Sequence, residues 1–296
     1  MPSVENEVRL LVLRGDCESQ DFSIAREGTM RQATRMAGTN ENILRRFGFN
    51  FARGGAHSSR TIMLEELTAL IAHVNRSDAT KLDYLHAIEN ENCLGKRSGK
   101  TRTLTSKHLT ELYSLDPSVT VFRTLLCFWQ RDPSARPLLA LLCAYCRDSI
   151  LRSTADFILR SPEGATIDRE SIEQLIEDKY PDRFSKNTLR STAQNVNSTW
   201  TKSGHLVGRV RKVRSKALPS AGSVSYALML GYLTGARGAN LFATEYTRLL
   251  DCSTVQAMEL AEEASRRGWI NFKRVGDVIE VLFPNLLSRK EMESVL

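Results

Sequence analysis

Apolar positions recur every three to four residues along most of this chain, and only two short stretches look strand-like. From residue 59 the spacing is helical. Met63, Leu64, Leu67, Leu70, Ile71 and Val74 form one stripe, and Ser59 stands where an N-cap belongs. Asp78 or Thr80 opens a second helix through Leu82, Leu85 and Ile88. Thr105 caps a third, which carries Leu109, Leu112 and Tyr113. Val119 to Gln130 and Pro137 to Leu159 are apolar enough to form two helices at the centre of a bundle. Residues 161–164, Ser-Pro-Glu-Gly, read as a linker. Asp168 then caps a helix through Ile172, Leu175 and Ile176, which stops at Tyr180-Pro181.

The stretch Ser185–Lys216 carries the most information. Ser185 is an N-cap, and the run to Trp200 holds neither Gly nor Pro. Leu189, Ala193, Val196 and Trp200 share one face, while Lys186, Arg190, Gln194 and Asn197 share the other. Ser203-Gly204 ends the helix. A short ribbon follows, with Val207, Val210 and Val213 expected to pack it against the helix, among Arg209, Arg211, Lys212 and Arg214. A polar helix followed by a basic ribbon is the layout of a winged helix. After a second linker at 218–222, helices are expected over 223–233, 239–250 and 253–267, with Ser253 as an N-cap and Gly268 as a C-cap. A hairpin then closes around Val275-Gly276-Asp277. The expected fold class is mainly α: a helical bundle followed by two winged-helix-like units with short β-hairpins. The expected regions are an arm or small helical region over 1–55, a helical bundle over 56–160, a DNA-binding unit over 161–217 and a second unit over 218–296.

Charge changes this picture. No acid lies between Asp182 and Glu245, and that window holds ten Lys and Arg residues, a net +10. The whole chain nets +7, so the remainder nets −3. The basicity is therefore local, as on a surface that meets a polyanion. A second acid-free stretch between Glu91 and Glu111 carries Lys96, Arg97, Lys100 and Arg102 around Gly95 and Gly99, read as a loop. The candidate DNA-binding residues are these four, the helix residues Lys186, Arg190, Gln194, Asn197 and Lys202, and His205, Arg209, Arg211, Lys212 and Arg214 of the ribbon. The last helix of the second unit instead carries Glu259, Glu262 and Glu263, which repel phosphate. That unit is read as structural or as a protein-docking surface.

Candidate chemistry is sparse. Cys143 and Cys146 form a C-x-x-C pair inside an apolar helix with no second pair, and a zinc site needs about four ligands. They are read as core thiols. The five histidines form no metal-binding spacing, and Gly95–Thr101 lacks the spacing of a phosphate loop. Trp129, Trp200 and Trp269 are assigned to core packing. No catalytic residue, metal or cofactor is expected, and the chain is read as a non-enzyme. No apolar run approaches the 20 or so residues that span a bilayer, and the first residues lack the apolar core of a secretion signal. A cytoplasmic protein with scattered, reduced cysteines is expected.

Several pieces together resemble the BrxA family of small proteins from BREX phage-defence systems. They are Ser59-Arg60 and the turn Glu91-Asn92-Cys93-Leu94-Gly95-Lys96-Arg97-Ser98 with Thr101 and Arg102. Further on come Ser185, Thr188 and Leu189, and then Gly204-His205-Leu206. The resemblance covers about residues 56–207. It implies a helical part similar to the antitermination factor NusB, a winged-helix part, and binding to double-stranded DNA alongside other defence proteins. Gly95 stands where that family usually has a longer side chain, and the region from about 219 extends beyond its usual length. The expected function is a DNA-binding accessory protein of such a system. An RNA-binding regulator and a protein-docking scaffold are the alternatives.

Overall fold

The structure, a computed structural model, describes residues 40–52 and 54–295. The expectations for residues 1–39 fall outside them. Residues 43–296 gather into one compact unit. Of a separate unit over 1–42 only 40–42 are described, and they are helical.

Among the described residues the fold is mainly α, with two small antiparallel sheets. After a helical stretch at 40–47, six helices follow: α1 (Leu64–Val74), α2 (Lys81–Glu89), α3 (Gly99–Tyr113), α4 (Thr120–Arg131), α5 (Arg136–Tyr145) and α6 (Ser149–Arg160). Strand β1 (Thr166–Ile167) leads into α7 (Arg169–Lys179) and α8 (Lys186–Lys202), then β2 (Leu206–Val207) and β3 (Lys212–Arg214). The chain continues through α9 (Ala221–Leu233), a 3-10 segment Gly238–Ala243, α10 (Glu245–Arg248) and α11 (Thr254–Arg266). The hairpin β4 (Asn271–Val275) and β5 (Val278–Leu282) and a last helix, α12 (Arg289–Glu293), complete it.

The caps read from sequence at Asp168, Ser185 and Ser253 are present. Each accepts the backbone N–H three residues on, at 2.6 Å, 3.3 Å and 3.1 Å. Other boundaries differ from expectation. Helix α1 begins at Leu64 and not near Ser59, because the preceding residues are tied down elsewhere. Ile62 donates its N–H to Thr199 Oγ1 (3.0 Å), and its carbonyl accepts the Tyr113 hydroxyl. Helix α3 begins at Gly99 and not at Thr105. Ser98 Oγ accepts the Thr101 N–H at 3.2 Å, which extends the helix through the presumed loop and buries Thr105 inside it. The apolar run 137–159 is two helices, α5 and α6, broken where Asp148 caps α6 by accepting from Ile150 and Leu151 (2.9 and 3.1 Å). The expected helix at 239–250 is the 3-10 segment followed by the single turn α10.

The regions expected over 56–160, 161–217 and 218–296 share one core, which runs from Leu44 to Leu287. Helix α9 joins them. All of its residues are buried, so it has no solvent face and little amphipathic pattern. It packs on α4 and α5 as well as on α10 and α11. Tyr226 donates its hydroxyl to the Val121 carbonyl (2.9 Å), and the Gly222 N–H meets Asp132 Oδ2 (2.9 Å). The linker at 218–222 is therefore not a boundary between cores.

Helix α8 is held from behind by a buried polar chain. Asp148 Oδ2 accepts from the His57 Nδ1–H (2.8 Å) and from the His57 backbone N–H (3.1 Å), and His57 Nε2 lies 2.9 Å from Thr199 Oγ1. Burial pushes the Asp148 carboxyl up, but His57 and the backbone N–H groups outweigh it, so it titrates below the usual carboxylate value. Asp148→Ala removes a cap and strands His57. It is expected to cost about 3 kcal/mol in urea denaturation at pH 7, against less than about 1 kcal/mol for the exposed cap change Ser253→Ala.

Candidate nucleic-acid interface

Around α8 the elements run α6–β1–α7–α8–β2–β3, and the three strands lie in the order β1-β3-β2, all antiparallel. Pairing sets the faces. Leu206 lies opposite Arg214, and Val207 opposite Val213. Since Leu206 is buried, the strand alternation carries Arg214 inward with it and turns Val207 and Val213 outward.

Three expectations for the ribbon are corrected here. Arg214 is not a solvated phosphate ligand. It is 5% exposed and spans several acceptors: the Ile158 carbonyl (2.8 Å), the Ser215 carbonyl, and both oxygens of Asp251 (2.7 and 2.8 Å). His205 is also inside. Its Nε2–H donates to the Leu249 carbonyl (3.0 Å), and Ser203 Oγ lies 2.9 Å from Nδ1. Trp200 meets the ring edge-on at 5.0 Å. Burial pushes the His205 ring down to about 4; Asp251 acts the other way, and Arg214 adds to the lowering. The ring is neutral at pH 7 and is no cation for a phosphate. The valines were expected to face the helix, yet Val207 and Val210 are exposed, because residues 208–211 are a turn projecting beyond the sheet.

The remaining ribbon cations differ in freedom. Arg209 is exposed with no partner. Arg211 is exposed but donates through Nε and Nη2 to Thr166 Oγ1 (3.0 and 2.7 Å). Lys212 is half-buried and folds its ammonium onto the Gly208 carbonyl (2.7 Å); burial pushes its pKa down.

Along α8 the two halves also differ. Lys186, Arg190 and Gln194 are exposed and unpartnered, at four-residue spacing on one face of the N-terminal half. Asn197 is 5% exposed, and its Oδ1 is buried without a partner. Lys202, in the last turn, is ion-paired with Glu65 of α1. Gln194, Asn197 and Ser198 form one wall of a groove of about 770 Å³. Arg209 to Lys212 form the opposite wall, and Thr166 to Glu170 close it. Asp168 and Glu170 make the α7 side of that groove acidic. The Asp168 carboxyl is held below the usual range by the Ser171 N–H and hydroxyl. Arg169, on the same side, is paired with Glu170 and Glu173, so the free positive charge lining the groove is that of the turn.

The second basic cluster lies on other elements and lines none of this groove. Lys96 pairs with Glu66 (3.1 Å). Arg97 and Lys100 are exposed at the start of α3, while Arg102 is half-buried with Nε lacking a partner. Among the groove residues that sequence reasoning did not place there are Thr166, Arg169 and Ser198. Thr166 is adjacent only through the β1–β3 pairing, which β1's two residues are too short to announce; Ser198 is one position from Asn197 on the helix face.

Cys143 and Cys146 are buried core thiols, as are the rings of Trp129 and Trp200. Among the described residues no three His, Cys, Asp or Glu side chains cluster so as to hold a metal ion. No described helix is long and apolar enough to cross a membrane. Comparison with known proteins matched no protein family, no curated protein and no solved structure.

Because folded His205 titrates near 4 and the unfolded ring near 6.5, the unfolded state binds the extra proton between these values. Stability therefore falls as pH drops through that window. From pH 7 to pH 5 the loss from this ring is about 2 kcal/mol. Urea midpoints at the two pH values should show it, and His205→Gln should remove most of the difference.

Proposed function

We propose that residues 149–217 form a winged-helix unit that binds double-stranded DNA, with α8 as the helix that enters the major groove. The order α6–β1–α7–α8–β2–β3 with sheet order β1-β3-β2 supports the winged-helix reading, as does the turn 208–211 placed as a wing. The observation that carries the DNA reading is the acid-free, unpartnered row Lys186, Arg190 and Gln194 on α8, with the exposed Arg209 across the groove from Gln194. The N-terminal half of such a helix is the part that contacts base edges, and Lys and Arg beside it neutralise phosphates. The resemblance of 56–207 to the BrxA family fits this reading and sets it in a phage-defence complex, with the protein acting as an accessory and not as a catalyst. The C-terminal unit has a different surface. Glu259 and Glu262 are exposed on α11, and Val275 and Val278 stand exposed at the β4–β5 tip. That surface suits a protein partner, and we assign the scaffold role to it.

The test is a salt titration of duplex binding, with a structured RNA of equal charge as competitor. Replacing Lys186, Arg190 and Arg209 together by Ala should weaken binding and flatten the log–log salt slope by up to about 2.7, at about 0.9 per phosphate contact. Replacing Arg97 and Lys100 by Ala should leave the slope unchanged. A slope that responds only to the second variant would move the interface to α3. RNA that competes better than duplex would favour the RNA-binding alternative.

A further inference from the structure

Asn197 is an anomaly on the wall of the α8 groove. It is 5% exposed, its Oδ1 is sealed off without a partner, and no described residue bonds to its Nδ2. A buried polar group left unpaired is costly, and folded interiors hold few of them. Ala193, Val196 and Trp200 are buried on the same helix and are apolar, so packing alone does not call for an amide at 197. The amide lines the groove beside Gln194, and its torsion about Cβ–Cγ is soft, so either end can turn toward the groove. The volume of about 770 Å³ is that of a small-ligand site. On the opposite wall the planar Arg211 guanidinium is held by two bonds to Thr166 Oγ1 (3.0 and 2.7 Å), and Val210 beside it is exposed. A fixed guanidinium plane and a valine are surfaces on which a flat ring stacks. Arg209 is the unpartnered cation of this wall, since Lys212 is folded onto the Gly208 carbonyl. On the α7 side Asp168 is engaged as a cap and Glu170 is paired with Arg169; these carboxylates keep an anion to the Arg209 side.

We propose that this groove binds a free adenine nucleotide, with the Asn197 amide on the edge of the base, the ring against Arg211 and Val210, and the phosphate at Arg209. The amide donates to N7 and accepts from the N6 amine, the two-bond pairing that suits asparagine to adenine. Guanine and hypoxanthine present two acceptors on that edge and would leave Oδ1 unpaired. Gln194 and Arg209 belong both to the groove and to the surface assigned to the duplex. A bound nucleotide therefore covers part of that surface, and nucleotide and duplex exclude each other. The exclusion rests on the DNA-binding reading above; the nucleotide site does not.

The experiment titrates the full chain with adenosine monophosphate, inosine monophosphate and inorganic phosphate by calorimetry, and repeats the first titration as displacement of a labelled duplex. Adenosine monophosphate should bind about tenfold or more tighter than inosine monophosphate, tighter also than phosphate, and should displace the duplex. Arg209→Ala should weaken both nucleotides alike. Asn197→Leu should bring adenosine monophosphate down to the inosine monophosphate level with a melting temperature at or above that of the wild type, because it removes an unpaired buried acceptor. If Asn197→Leu does not fold, the comparison of the two nucleotides on the wild type decides alone. Adenosine monophosphate bound no tighter than inosine monophosphate or phosphate, or a preference untouched by Asn197→Leu, would overturn the nucleotide site, and duplex binding in the same samples would leave the DNA-binding reading in place. Adenosine monophosphate that binds without displacing the duplex would overturn the exclusion. Adenosine monophosphate bound with the expected preference by a chain that binds no duplex would keep the site and overturn the DNA-binding reading.

Discussion

The buried pair of Arg214 and Asp251 is the constraint on which the α8 region depends. A guanidinium removed from water is tolerated only when its donors are met. Arg214 meets them with the end of α6, with its own strand's continuation, and with the carboxylate after α10. One side chain therefore fixes β3 to the helical bundle on one side and to the C-terminal region on the other. Asp251 also accepts the Ala217 N–H at 3.2 Å, so the strand's exit is set by the same carboxylate. Because β3 lies between β1 and β2, fixing β3 fixes the sheet, and the sheet aims the turn 208–211.

That anchoring sorts the positive charges of the acid-free window by role. Arg214 is consumed inside, Lys212 folds back on its own turn, and Lys202 is neutralised by α1. Lys186 and Arg190 on the first half of α8 and Arg209 on the turn face solvent without a partner, Arg211 is exposed but bonded to Thr166, and Lys216 is exposed beyond β3. Of the net +10 in the sequence window, only part is therefore free charge on α8 and the turn 208–211.

Local rules carried much of the fold. Asp168, Ser185 and Ser253 sit at caps because their side chains supply acceptors to orphan N–H groups, and Gly268 and Gly276 adopt positive φ where a helix ends and a hairpin turns. What local rules missed depends on partners far along the chain. Ile62 is held by Thr199 and Tyr113, and this delays α1. His205 is drawn inward by Leu249, and Arg214 by Asp251 and Ile158. In the ribbon, counting arginines could not say which faced water, since that depends on the one-residue register that places Arg214 with Leu206. The linker at 218–222 looked like a domain boundary because Pro and Gly cluster there, yet Gly222 is needed where α9 closes on Asp132.

The proposed interface is geometric: the first half of α8 would meet DNA, and the acidic face of α11 would not. A photo-crosslinking residue placed at Gln194, and in a second variant at Glu259, tests it on the full chain with a duplex carrying a label. Both positions are exposed, so neither substitution disturbs the core. The account predicts salt-sensitive crosslinks to the duplex from position 194 and none above background from position 259. Crosslinks from 259 alone, or equal yields from both, would contradict it.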